Sequence, residues 1–475
     1  MSAVDCITAN VRGQERPANR GRWSSRLGFV LAASASAVGL GNIWKFPYVT
    51  GTNGGGSFVL VYLLCILLVA APIMIAEILL GRTTQRSPVG AFRAMARHGS
   101  RHWSILGWLA LVAGFLILSY YFVVAGWTLH YAHLAVTGAL FAEAGADDLQ
   151  QMFAGVYANP AVNVFWQLVF IMLTVAVVLG GVQKGIERCC RFLFPLLVLV
   201  LLALLAQAAS GPGLARGMEF VFGFRASGVT AAGVLEALGH SFFTLGLGMG
   251  AMITYGSYLG REEDVVAATA AVAGLDTFVS LCACMIIFPI IFAFDLAPDA
   301  GPGLVFVSLP VAFAQMSGGH IWAVVFFALL AMAALSSTVS VLEVIVSHLC
   351  DERRIRRWQA CALSGCALFL AGIPSSLSGG TYLFGSWFEG VTSTAFGTGR
   401  NWFDFVDYIA SNWLLPMSGL GIAVFFAWRV GGPARELAFR SGTGFGRLYW
   451  GWVGVLRYLA PPAVIAVFLH AAGMV

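Results

Sequence analysis

Leu193–Ala209 runs for 17 residues without a charged side chain, and Val162–Gly180 and Trp322–Leu342 are likewise uncharged. A bilayer core about 30 Å thick asks for roughly 20 such residues per helix. Of the whole chain only 10% is charged and 59% is hydrophobic, against about 25% charged in soluble domains. The runs are too long and too evenly apolar for the alternation of a membrane β-barrel. The fold class that follows is an all-α membrane protein.

Eleven spans are expected, at about 24–48, 56–80, 104–138, 160–180, 190–209, 234–259, 264–294, 318–349, 358–375, 402–429 and 450–474. Of the 27 basic residues, 22 fall in the tail and in alternate loops on one side, and the opposite loops hold only Arg216, Arg225 and Arg400. The excess marks the cytoplasmic face, giving an N-inside, C-outside multi-pass protein of the cell (inner) membrane. The net charge of +5 is topological and implies no nucleic-acid partner. The domain reading is a cytoplasmic tail, 1–22, and one transmembrane domain, 23–475. Cys282 and Cys284 point to different faces of a helix, and the nine cysteines read as small packing residues.

Two spans are interrupted by glycine. The first contains Ala37-Val-Gly-Leu-Gly-Asn42, and the sixth Thr244-Leu-Gly-Leu-Gly-Met-Gly250. Five spans separate their starts, so they enter the membrane from opposite sides. Matched broken helices in two inverted halves point to a transporter's central site, whereas a single such stretch would read as close helix packing. A break bares N–H groups that suit a carboxylate and carbonyls that suit Na⁺ or an ammonium.

Ionisable residues inside spans are functional candidates. Asp276 lies midway along the seventh, and Ser336, Ser337 and Thr338 precede Glu343 in the eighth. The carboxylate and the hydroxyls are hard oxygen ligands, though an isolated serine usually bonds back to its own helix. Lys45 and Asp407 have opposite charge at similar depth and could form an outer gate or a structural pair. Glu77 reads as hydrogen-bonded helix packing, and His240 and Glu343 are left open. No span presents a nucleophile–base set, a metal cluster or paired acids, so an enzyme is not expected.

Trp23-Ser-Ser-Arg-Leu-Gly-Phe29, then Ala37-Val-Gly-Leu-Gly-Asn-Ile-Trp-Lys-Phe-Pro47 and Asn53-Gly-Gly-Gly-Ser-Phe58, resemble the neurotransmitter:sodium symporter family in its prokaryotic branch. The resemblance covers about residues 20–470. It implies a LeuT-type 5+5 inverted repeat (about 23–210 and 230–430, with an extra helix at about 450–474), helices 1 and 6 broken. It also implies Na⁺-coupled symport of an amino acid by alternating access. Carried over, a first Na⁺ site would use carbonyls of Ala37 and Thr244 with the side chains of Asn42, Thr244 and Asp276. A second would use carbonyls of Ala35, Val38 and Ala333 with the hydroxyls of Ser336 and Ser337.

The substrate carboxylate would meet the Leu40 and Gly41 amides and the Tyr121 hydroxyl, and its amine the carbonyls of Ala37, Phe243 and Thr244. Ile117, Phe243, Met249, Thr338 and Val341 would shape the pocket. Lys45–Asp407 resembles the family's outer gate, and Arg20–Asp351 with Trp23 its inner one. Gly39, where monoamine carriers have Asp, favours an amino acid. Gly246 and the flexible Met249 favour a large apolar or aromatic one. Tyr62 and Ser280 match two chloride ligands of chloride-dependent relatives, but His240 replaces a third and Asp276 supplies a fixed negative charge, so chloride is not expected to be required. Rival readings are a proton-coupled transporter of the same fold and a membrane sensor that binds an amino acid without moving it. The oligomeric state is left open.

Overall fold

The computed structural model describes residues 21–96, 101–141, 146–298, 303–380, 383–396 and 399–471. Among these, nine helices are long and apolar enough to cross a membrane, and ten when the bent pair Arg26–Ala37 and Gly41–Thr52 counts as one. The sixth expected span is present as Ala231–Thr244 and Ala251–Gly256, divided by a longer break. With it, all eleven expected spans have helices. Backbone polar groups have no water to bond in lipid, and helices satisfy them internally.

Several boundaries move outward from the sequence reading, though span 7, at Val265–Ala293, does not. Span 2 reaches Thr84 and span 8 reaches Arg353, beyond the apolar runs, because helices continue into the aqueous phase until a cap stops them. Span 6 begins at Ala231, three residues before its apolar onset, because Thr230 accepts the Gly233 N–H and caps the helix there. Shorter helices join the spans: Ala146–Ala158, Leu214–Phe222, Leu304–Gln315 and Gly432–Arg440.

Spans 1, 3, 6 and 8 surround the two breaks. Span 2 braces the lower half of span 6 through glycines: a Cβ at Gly256 would lie 2.6 Å from the Ile78 carbonyl. The Arg82 guanidinium then donates to the carbonyls of Glu263, Ala438 and Ser441, fastening three chain segments together at one end of the bundle.

Candidate functional site

The first span bends by 48° between Ala37 and Gly41. Val38 is extended (φ −71°, ψ 104°), and the Gly39 N–H is taken by Asn42 Oδ1 at 3.0 Å instead of a helical carbonyl. A Cβ at Gly39 would collide with the Ser337 hydroxyl and lie 3.1 Å from that of Tyr121, so only glycine permits this approach. In the sixth span Gly246, Gly248 and Gly250 all have positive φ, between 63° and 80°. L-residues reach that region only at a cost, which is why three glycines alternate here. The breaks face each other: a Cβ at Gly41 would lie 3.1 Å from the Phe243 ring.

Beside the first break lies a fully buried cluster around Asp276. Asn42 Nδ2 donates to Asp276 Oδ1 (2.7 Å) and to Ser280 Oγ (2.8 Å). The Tyr62 hydroxyl lies 3.3 Å from Asp276 Oδ2 and 3.0 Å from Thr244 Oγ1. Asn42, Thr244 and Asp276 are therefore brought together. The carboxylate's bonded partners are neutral, so a buried negative charge here still calls for a cation. Carboxylate, amide, hydroxyl and carbonyl oxygens are the hard donor set that Na⁺ takes, and the residues fit it.

The second group forms where span 8 meets span 1. Ser336 Oγ bonds the Ala333 carbonyl (2.9 Å) and lies 3.5 Å from that of Val38. Ser337 Oγ donates to the Ser36 carbonyl (3.2 Å), with Val38 again at 3.5 Å. Back-bonding within the helix and contact across helices thus coexist. Ala35 is buried in the same turn, and Ser36, not singled out from sequence, supplies a carbonyl closer to Ser337 than that of Val38.

Between the breaks is a cavity lined by ten of the eleven expected substrate residues: Ala37, Gly41, Ile117, Tyr121, Phe243, Thr244, Gly246, Met249, Thr338 and Val341. Ser36, Gly39, Leu118 and Ser337 complete the lining. Leu40 does not face it; its N–H donates to the Tyr121 hydroxyl at 3.1 Å, joining two groups expected to hold one carboxylate. The Thr338 hydroxyl is turned to the Leu335 carbonyl and Thr174, which leaves the side-chain end of the cavity largely apolar.

Outside Phe243 and Tyr121 a second chamber is lined by Trp44, Tyr48, Tyr120, Phe403, Lys45 and Asp407 among others. Lys45 Nζ is 3.9 Å from Asp407 Oδ2 and 4.7 Å from the centre of the Phe243 ring. Tyr120 and Ser411 donate to Asp407 at 2.7 and 2.9 Å. Tyr120 was not anticipated; its only sequence signal is adjacency to Tyr121. At the opposite end of the site from Lys45, Trp23 Nε1 donates to the Tyr255 carbonyl (2.9 Å), and its ring packs edge-on against Phe29, Tyr255 and Tyr258. Asp351 accepts the Ser87 N–H at 3.0 Å; Arg20, its expected partner, lies outside the described residues.

The residues left open now have surroundings. Glu343 is a buried member of an inner network, paired with Arg357 (2.5 Å) and bonded by Tyr258 (2.6 Å). His240 stacks on Phe46 with ring centres 5.6 Å apart, and neither ring nitrogen has a hydrogen-bond partner among the described residues. Glu77 bonds the Gly248 N–H at 2.7 Å.

The family model described as the sodium:neurotransmitter symporter family matches residues 20–150 and 151–414. The sodium-dependent transporter YhdH of Bacillus subtilis (strain 168) is 36% identical over 456 residues, covering 95% of this chain and 98% of that protein. The sodium-dependent transporter MJ1319 of Methanocaldococcus jannaschii is 30% identical, covering 87% and 82%. Among solved structures, MhsT in complex with L-phenylalanine is 43% identical, superimposes with a TM-score of 0.85, and is covered completely by 95% of this chain.

Proposed function

Because this chain belongs to the sodium:neurotransmitter symporter family, we propose that it accumulates a large apolar or aromatic L-amino acid by Na⁺ symport. The observation that carries the reading is a cavity between two broken helices, polar beside Asp276 and apolar at the end lined by Ile117, Leu118, Met249 and Val341. The relative solved with L-phenylalanine supports the same substrate class.

In the proposed cycle the Asn42–Thr244–Asp276 cluster takes one Na⁺, and the Ser336–Ser337 group with the carbonyls beside it takes a second. The substrate's carboxylate sits by the Gly41 amide and the Tyr121 hydroxyl, its amine by carbonyls of the breaks. Phe243 and Lys45–Asp407 close the outer path; the Trp23 cluster closes the inner one. The chain has its N-terminus in the cytoplasm and its C-terminus outside. Two Na⁺ with a zwitterion move two charges, worth about 4.6 kcal/mol per 100 mV, or roughly a thousandfold accumulation. Asp276 provides the negative charge that chloride supplies elsewhere, so chloride is dispensable.

The test is uptake of labelled amino acids into proteoliposomes with Na⁺ and Cl⁻ varied separately. Leucine, phenylalanine, tyrosine or tryptophan should accumulate with Na⁺ and survive replacement of chloride by gluconate. Tighter competition by glycine than by leucine would overturn the substrate class, and uptake of serotonin or dopamine with no amino-acid uptake the whole reading.

A further inference from the structure

One buried ionisable group has no part in the cycle drawn above. Glu77, on span 2, is completely buried. Its Oε1 accepts the Gly248 N–H at 2.7 Å, and its Oε2 has no hydrogen-bond partner among the described residues. The charged groups on the elements packed around the Ala71–Thr84 half of span 2, which carries Glu77, are engaged elsewhere. Asp276 is held by Asn42 and Tyr62, Arg93 by Glu352, Arg435 by the Phe426 and Ala427 carbonyls, and Arg457 by the latter. Arg82, on the same helix, is committed to three carbonyls. Tyr255 presents only a neutral hydroxyl. An ionised carboxylate in a membrane span with a single N–H donor and no cation is far costlier than the neutral acid. In this conformation Glu77 therefore carries its proton.

We propose that Glu77 is a proton-binding site that loads and unloads once per transport cycle. Its partner Gly248 belongs to the interruption of span 6, whose backbone is set by left-handed glycines and not by a helical ladder. The next residue, Met249, lines the cavity. When the gates exchange, any shift of this segment takes the N–H away from Glu77 or lets water reach it, and either changes the acid's grip on its proton. The linkage is reciprocal: the proton state of Glu77 in turn sets how the segment beside the substrate is held.

The inference rests on the transport reading, and one experiment separates their failures. Purified protein in proteoliposomes with a trapped pH dye is given Na⁺ and labelled L-phenylalanine, for wild type and Glu77→Gln. Glutamine is neutral and keeps an oxygen for the Gly248 N–H. The expected result is Na⁺-driven uptake with a substrate-dependent pH signal in the wild type, and uptake without that signal in E77Q. No Na⁺-driven uptake of any amino acid would sink the transport reading itself. Uptake without a pH signal in the wild type, or the same signal in E77Q, would overturn the proton site. If E77Q proves inactive, the wild type decides alone: its carboxylic-acid infrared band should change on adding Na⁺ and substrate, and a band that stays fixed refutes the proposal.

Discussion

Replacing Asp276 by asparagine is the sharpest test of the proposed first ion site, because the change alters charge and almost nothing else. Asn42 Nδ2 donates 2.7 Å to Asp276 Oδ1, and an asparagine at 276 offers an amide oxygen in that place, so the helices should still pack. A carboxylate at about 2.4 Å from a hard cation attracts it by about 7 kcal/mol at an effective dielectric of 20. Most of that is offset, because a bare carboxylate is itself costly to bury. A net loss of about 2–3 kcal/mol remains, which is roughly a 30- to 150-fold rise in the Na⁺ concentration needed for half-maximal binding. The assay is equilibrium binding of labelled L-phenylalanine to purified protein over a Na⁺ titration, with ionic strength held constant. At saturating Na⁺ the substrate affinity should return to within a few-fold of wild type. An unchanged Na⁺ midpoint would remove Asp276 from the ion site, however close it lies to Asn42.

Gly248→Ala forces a left-handed φ of 80° on an L-residue and puts its Cβ 2.5 Å from the Leu415 carbonyl. Strain and overpacking together cost about 2–5 kcal/mol, so the detergent-solubilised variant should melt earlier; an unshifted melting curve would mean the segment is laxer than described. Glu343→Ala leaves Arg357 without its buried partner. Since Arg357 is 28% exposed, the loss should be near the lower end of the range for such pairs, about 3 kcal/mol, read as thermal stability. Lys45→Gln removes a 3.9 Å pair whose side chains are 20% and 33% exposed. A loss of about 0.5–1 kcal/mol predicts two- to fivefold faster escape of bound substrate to the outside, measured by dissociation after dilution; a slower escape would refute the gating role.

The interrupted helices were legible because their cause is local. One such glycine stretch could serve helix packing, but a matched pair in spans 1 and 6 calls for more, and Asp276 and Glu343 stand out against apolar neighbours. What stayed hidden was tertiary. Nothing around Leu118 separates it from the other apolar residues of span 3, since facing a cavity and facing another helix demand the same side chain. The Ser36 carbonyl belongs to the backbone and has no sequence signature. Tyr120 reaches an acid 287 positions away, and the orphaned oxygen of Glu77 depends on what spans 6 and 10 fail to present. The early start of span 6 was readable in principle from the Thr230 cap, which lies outside the apolar run.

The proposed ion site and the substrate cavity share a wall, and that fact constrains how coupling can arise. Thr244 lines the cavity and contacts Tyr62, whose hydroxyl also reaches Asp276. Gly39 lies between the Ala37 and Leu40 positions and against Ser337 and Tyr121, which belong to the proposed second ion group and the cavity. With the proposed sites, no relay through the protein is needed for one cargo to sense another: each would bind to backbone that the other also holds. A ligand shifts a conformational equilibrium only by its difference in affinity between the states. In the proposed cycle, two broken stretches of backbone whose shape is fixed from both ends at once would give substrate and Na⁺ such a difference, each conditional on the other. Continuous helices, with their carbonyls and amides already paired, could offer neither.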